Sequence, residues 1–259
     1  MYLLIKLETY NINTDSFLIS CVENMEIGSQ AWKDTIVVGA RKSGISVLPD
    51  QLDQFAAHAT LLKEWNQKIN LTAIGEPVDV AVKHFLDAII PSRYIKPDSR
   101  LLDVGSGAGF PGIAIKVMIP TLQVTLVEAT RKKVSFLKHV IRELHLSGIS
   151  AIQSRIENLP QQPGSGFDVI VSRAFSNLSE FVEKSLPYLA IDGLLMAYKG
   201  RGFTEENLDV LATPGTHKAS LISIKNIDRR FQMTIVHFKL PFLELNRSLI
   251  LLKSQNIST

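Results

Sequence analysis

Cysteine is almost absent from this chain. Cys21 stands alone among 259 residues, which excludes an intrachain disulfide and a cysteine-built zinc site and suits a reducing, cytoplasmic setting. Long apolar runs are missing as well, none approaching the roughly 20 residues of a membrane-spanning helix. Neither sign of charge dominates: 28 Lys and Arg stand against 25 Asp and Glu, a net +3. Any hold on nucleic acid therefore has to come from local basic clusters and not from bulk charge. Leu18-Ile19-Ser20-Cys21 has the outline of a lipoprotein processing site, but Lys6, Glu8 and Asp15 interrupt the stretch before it, so no secretory signal is read there. Internal repeats and low-complexity segments are lacking too.

What is present, 46% hydrophobic and 20% charged residues, fits one sizeable globular domain or a large domain carrying a smaller cap. Residues 1–28 keep no helical or strand period and read as a weakly ordered tail. From Asp50, a candidate N-cap, Leu52, Phe55, Ala56, Ala59, Leu62 and Trp65 recur at the spacing of one helical face. A second helix is predicted to begin near Pro77, with Val78, Ala81, Val82, Phe85 and Ile89 as its stripe. Residues 29–96 are thus expected to form a helical cap, and residues 97–259 the main domain.

After Arg100 short apolar runs alternate with helical stretches, as in βαβ units on a parallel sheet. The runs are Leu101 to Val104, Val124 to Val127, Ile149 to Ile152, Val169 to Val171 and Leu194 to Tyr198. Val134, Leu137, Ile141 and Leu144 mark one intervening helix; Leu178, Phe181, Val182, Ser185 and Leu189, capped by Asn177, mark another. Met233 to Leu240 and Ser248 to Leu252 follow with no crossover helix between them, which predicts an antiparallel pair. The expected fold is α/β and Rossmann-like: a mostly parallel seven-stranded sheet ending in that pair.

The first run leads directly into Gly105-Ser106-Gly107-Ala108-Gly109-Phe110-Pro111-Gly112. Glycines at a strand-to-helix turn permit positive φ and close approach of backbone to a ligand. Pro111 suits a first helical turn, whose free N–H groups receive an anion. The next run ends in Glu128, where a carboxylate accepts hydrogen bonds from both hydroxyls of a ribose. Asp103 either shapes the loop or approaches a cationic group of the cofactor. Two cofactors fit this pattern, S-adenosylmethionine through its methionine carboxylate and NAD through its pyrophosphate. Residues 107–112 satisfy G-x-G-x-x-G, but in that register the first glycine stands two residues beyond the turn and the acid follows early.

Further along, Ser172-Arg173-Ala174-Phe175 follows the fourth run, with no Asn-Pro-Pro-Tyr element or cysteine in its place. Phe175 is either a stacking platform for an extruded base or a core ring, and Arg173 is a candidate to bridge cofactor and RNA. Arg131-Lys132-Lys133 opens a helix against the dipole, which marks it as a phosphate-binding cluster or a solvated face. Lys199, Arg201, Arg229 and Arg230 are candidates to extend the same surface. His84 and Asp87, three apart, are expected to pair while facing the main domain; no metal is expected with so few ligands. Trp65 is read as core in preference to a stacking platform.

Taken in order, residues 64–72 (Glu-Trp-Asn-Gln-Lys-Ile-Asn-Leu-Thr), 83–87 (Lys-His-Phe-Leu-Asp), 102–112, 172–175 and Lys199-Gly200 resemble the RsmG (GidB) family, which methylates guanine N7 in bacterial small-subunit ribosomal RNA. The likeness spans about residues 42–253; the tail and residues 213–230 look atypical. It implies a class I methyltransferase fold, S-adenosylmethionine as cofactor, 16S ribosomal RNA as partner and a cytoplasmic monomer. By the same resemblance Gly105 and Phe110 line the cofactor site, along with Gly107 and Gly109 of the loop. Glu128, Ala129 and Thr130 flank the ribose, Ile156 and Glu157 the adenine, and Arg173 closes the site. A methyltransferase acting elsewhere, or a non-catalytic RNA-binding module that kept the pocket, stays compatible with these residues.

Overall fold

The computed structural model describes residues 25–160, 166–175, 177–200, 211–212, 220–223 and 230–255. Helix α1 (Gln30–Lys42) begins where the Ser29 hydroxyl accepts a hydrogen bond from the Trp32 N–H at 3.3 Å, and Arg41 and Lys42 sit at its negative end. Helix α2 (Pro49–Asn66) starts on Pro49, whose fixed φ suits a first turn; Leu48, not Asp50, holds the N-cap position, so Asp50 lies inside the helix. Asn66 then folds the following loop onto itself, its Oδ1 accepting the N–H groups of Leu71 (2.8 Å) and Thr72 (3.0 Å). Helix α3 runs over residues 77–89 and is π-helical from Val80–Leu86. Its stripe residues Ala81, Val82, Phe85 and Ile89 are buried as predicted.

The sheet joins β1 (Arg100–Val104), β2 (Gln123–Glu128), β3 (Ile149–Gln153), β4 (Phe167–Ser172), β5 (Leu189–Lys199), β6 (Leu211–Ala212), β7 (Ser220–Ser223), β8 (Arg230–Leu240) and β9 (Leu245–Gln255) in the order β3-β2-β1-β4-β5-β9-β8-β7-β6. The expected seven strands are all there, five parallel and two antiparallel, with β6 and β7 as short additions at the edge. The final pair is longer than the apolar runs suggested, because its ladder continues past Met233 and Leu252 to Arg230 and Gln255.

Period-2 alternation sends the strand residues to two separate cores. Leu101, Val124, Leu126, Val169 and Val171 pack with Trp32, Phe55, Phe85, Ile113 and Phe136 on the face covered by α1, α2, α3, α4 (Gly112–Met118) and α5 (Arg131–Glu143). Leu102, Val104, Val127, Ile170 and Leu195 pack with Phe181 and Val182 of α6 (Leu178–Ser185) on the other face. Burying each such large side chain contributes about 1.5–3 kcal/mol. Met25 is also buried, so the last residues assigned to the tail pack against α1. Among the described residues the face carrying α6 has the lesser helical cover. Between β3 and β4 the described residues contain only a short 3₁₀ turn (Ile156–Asn158), and a cavity of about 1140 Å³ opens over Arg100, Gln123, Phe167 and Tyr188, at the N-terminal ends of the strands.

Candidate functional site

Strand order reverses between β1 and β4, and open α/β sheets form a ligand crevice beyond the strand C-termini at such a point. The two segments that leave the sheet there are the glycine loop after β1 and Ser172-Arg173-Ala174-Phe175 at the end of β4. Ser172 ties them together: its Oγ donates to the Val104 carbonyl at 2.8 Å and accepts the Ala174 N–H at 3.0 Å. Gly105 turns with φ +74°, and a Cβ on it would stand 2.7 Å from the Cβ of Ala174, so the crossing of these segments requires glycine. Gly107 and Gly109 also have positive φ. The first glycine beyond β1 is Gly105, so the dinucleotide register starting at Gly107 is out of step with the strand end.

Glu128 ends β2 beside this loop. Its Oε2 accepts the Gly107 N–H at 3.1 Å and its Oε1 the Thr130 N–H at 2.9 Å, which leaves lone pairs on both oxygens for a diol. Ala129 and Thr130 are exposed next to it. Asp103 resolves in favour of shaping the loop. It is fully buried, and its Oδ2 accepts the Gly112 N–H at 3.0 Å while Oδ1 has no partner among the described residues. Burial pushes its carboxyl up to about 7, against the pull of the Gly112 N–H. The expected anion site at the helix start is thereby corrected: Pro111 occupies the N-cap position, and the Gly112 N–H is committed to Asp103.

Phe110 reaches away from the loop into the helical layer. Its ring lies between the imidazoles of His58 (4.7 Å, 9°) and His84 (4.6 Å, 8°), with Phe85 edge-on at 5.0 Å. His58 Nε2 is also 2.9 Å from the Ala108 carbonyl, and His84 Nε2 shares a hydrogen bond with Thr72 Oγ at 3.0 Å. Burial lowers His58 to about 4, partly offset by that carbonyl; burial, then the charges of Arg173 and His58, lower His84 to about 3. Both rings are therefore neutral near pH 7. The motifs Asn70-Leu71-Thr72 and His84 thus meet the cofactor loop through one stack of rings.

His84 and Asp87 do not pair with each other, because the π-helical stretch turns them to different partners. Asp87 accepts from Arg173 Nη2 at 3.0 Å and from Arg247 Nε at 3.2 Å. Elsewhere Ile156 is buried against the α6 side, and the exposed Glu157 carboxylate accepts from Lys184 Nζ at 2.6 Å, which holds it below the usual carboxylate range. Phe175 is half-buried on Phe181, centroids 5.5 Å apart. Arg131 and Lys132 are exposed at the head of α5 and Lys133 is half-buried, whereas Lys199 points inward: it is 8% exposed and donates to the Phe175 carbonyl at 2.9 Å. Arg201 and Arg229 lie outside the described residues, and Arg230 begins β8 on the far side of β9. Trp65 is half-buried against Phe136 and His139. Two residues escaped sequence reasoning. His58 carried a usable signal, being a polar ring in phase with Phe55 and Leu62 on the apolar face of α2; Arg247 carried none, since only the β8–β9 register brings it to Asp87.

Residues 51–234 match the GidB family, described as rRNA small subunit methyltransferase G. The chain is 44% identical over 174 residues to the ribosomal RNA small subunit methyltransferase G of Geotalea uraniireducens, covering 67% of this chain and 80% of that one. With the protein of the same description from Geobacter metallireducens it shares 38% identity over 229 residues, 88% of this chain and 99% of that one. Among solved structures it is similar to a SAM dependent methyltransferase from Aquifex aeolicus, at 13% identity and a TM-score of 0.48, over 71% of this chain and 96% of that one.

Proposed function

The chain belongs to the GidB family, rRNA small subunit methyltransferase G, and from that premise we propose that it transfers the methyl group of S-adenosylmethionine to N7 of a guanine in small-subunit ribosomal RNA. The observation that carries the finer part is the state of the ionisable groups around the loop. His58 and His84 are buried and neutral, Asp103 is fully buried, and Glu128 is held by two N–H groups. All four are buried and already engaged within the protein, so none stands open to a substrate proton, and guanine N7 needs no acceptor, because its lone pair is already free.

The residues fit the cofactor. Gly107 has open space where a Cβ would stand, its nearest neighbour 3.9 Å away, Glu128 keeps lone pairs for the ribose hydroxyls, and Arg173 Nη1 is buried with no partner among the described residues. Bound S-adenosylmethionine supplies a methyl group activated by its sulfonium. The chain's own part is alignment of N7 with that methyl carbon, and positioning of this kind is worth about 7–11 kcal/mol. Phe175, half-buried on Phe181, offers its remaining surface to a base, and Arg131 and Lys132 at the same edge of the sheet offer charge to RNA phosphates. The enzyme is read as a cytoplasmic monomer.

A strain lacking this protein is expected to lose one N7-methylguanosine from small-subunit ribosomal RNA, and the Gly105→Asp variant is expected not to restore it. Unchanged modification in the deletion strain overturns the proposal.

A further inference from the structure

The glycine loop and Arg173 are both bound to the helical layer, and the second attachment involves a buried ion cluster drawn from three distant segments. Asp87 belongs to α3, Arg173 to the segment after β4 and Arg247 to β9. The Asp87 side chain is 4% exposed, and each carboxylate oxygen is engaged: Oδ2 by Arg173 Nη2 at 3.0 Å, Oδ1 by Arg247 Nε at 3.2 Å. Arg173 Nη2 also donates to the Lys83 carbonyl at 3.1 Å, within the π-helical stretch. One end of the guanidinium, Nη2, is therefore fixed at two points, by a charged acceptor and a backbone acceptor.

Its other end is different. Arg173 Nη1 is buried and has no hydrogen-bond partner among the described residues. Buried polar atoms are almost always paired, and a charged one left unpaired is the costliest exception. A planar guanidinium whose Nη2 donates to two fixed acceptors has little freedom to turn, so the direction of Nη1 is set by where Nη2 is held. A carboxylate gripped by two arginines is correspondingly stiff, since release of either oxygen would leave a buried charge half-paired.

We propose that Asp87, steadied by Arg247, is the positioning residue for Arg173, and that it acts by presenting Nη1 to the carboxylate of the bound methyl donor. This rests on the cofactor reading above but not on the identity of the methylated base. Asp87 and Arg247 touch no ligand themselves; they contribute to affinity only through the orientation of Arg173. The pattern Lys83-His84-Phe85-Leu86-Asp87 then has a division of labour, His84 stacking on the ring of the glycine loop and Asp87 orienting the arginine opposite.

The test measures binding of S-adenosylhomocysteine to the purified full chain by calorimetry, without RNA, beside thermal melting. Arg173→Gln and Asp87→Asn are each expected to weaken binding about tenfold, the equivalent of about 1.4 kcal/mol. The double variant is expected to bind no more weakly than Arg173→Gln alone, since the two act as one unit. Asp87→Glu should recover part of the loss. Arg247→Gln, which frees only one carboxylate oxygen, should give a smaller one. In turnover, Asp87→Asn should raise KM for the methyl donor far more than it lowers kcat. A lower melting temperature with unchanged affinity well below the melt would make Asp87 a stability residue only and overturn the proposal, as would losses that multiply in the double variant. If Asp87→Asn does not fold, Arg247→Gln decides, and unchanged affinity there overturns it equally. A wild-type chain that binds S-adenosylhomocysteine but methylates no guanine defeats the substrate assignment alone; one that binds none defeats both.

Discussion

Replacing Gly105 by Ala introduces two separable penalties. The residue has φ +74°, where an L side chain costs about 1–2 kcal/mol. The new Cβ would also stand 2.7 Å from that of Ala174, an overlap whose relief by backbone movement costs about 1–3 kcal/mol. The sum is a loss of about 2–5 kcal/mol, and only the second part depends on the β4 segment. Gly105→Ala combined with Ala174→Gly should therefore recover about 1–3 kcal/mol, less the few tenths to 1 kcal/mol that an added glycine costs through the unfolded chain. Urea unfolding at constant m-value reads both differences as midpoint shifts. A double variant unfolding at the midpoint of Gly105→Ala alone would show that the segments after β1 and β4 do not cross at these residues, and the geometry of the crevice would fall with it.

Three further outcomes are expected. Phe110→Ala empties a slot between two imidazoles and should cost about 3–5 kcal/mol of stability, measured by denaturant unfolding; a loss under about 1 kcal/mol would contradict the ring stack. His58 and His84, lowered to about 4 and 3, contribute stability that is complete above about pH 6.5 and declines as pH falls towards those values, so His58→Gln with His84→Gln should flatten the acid limb of a stability–pH profile. Asp103 has the opposite sign: with its carboxyl pushed up to about 7, the native state holds a proton the unfolded chain has released, and stability falls as pH rises from about 4 to about 7. Asp103→Asn should therefore gain on the wild type between pH 5 and pH 8, and a difference independent of pH would rule this out.

Much of the cofactor edge was legible in the residues, because strands buried on both faces read as continuous apolar runs and Gly105 marks the turn without ambiguity. Helix α1 was harder. Its buried face is Trp32, Thr35, Ile36, Gly39 and Ala40, in which small and polar residues blur the period. The π-helical stretch was invisible, since one widened turn changes no residue type yet sends His84 and Asp87 to different partners. Glu157 and Lys199 were placed by chemistry alone, and each had a competing partner, Lys184 or the Phe175 carbonyl, that only packing reveals. The two cores likewise follow from alternation, whereas the unequal helical cover they have among the described residues does not.

Strand β9 lies in the interior of the sheet, between β5 and β8, though it is the last of the described strands along the chain. During synthesis β5 must wait with an unpaired edge until this strand has emerged from the ribosome, a period in which that edge is open to other chains. Arg247 arrives with β9, so the cluster around Asp87 is among the last contacts to form. Nascent chains halted before residue 245 would hold the glycine loop without a completed partner for Asp87, and cofactor affinity would mature only once β9 is home.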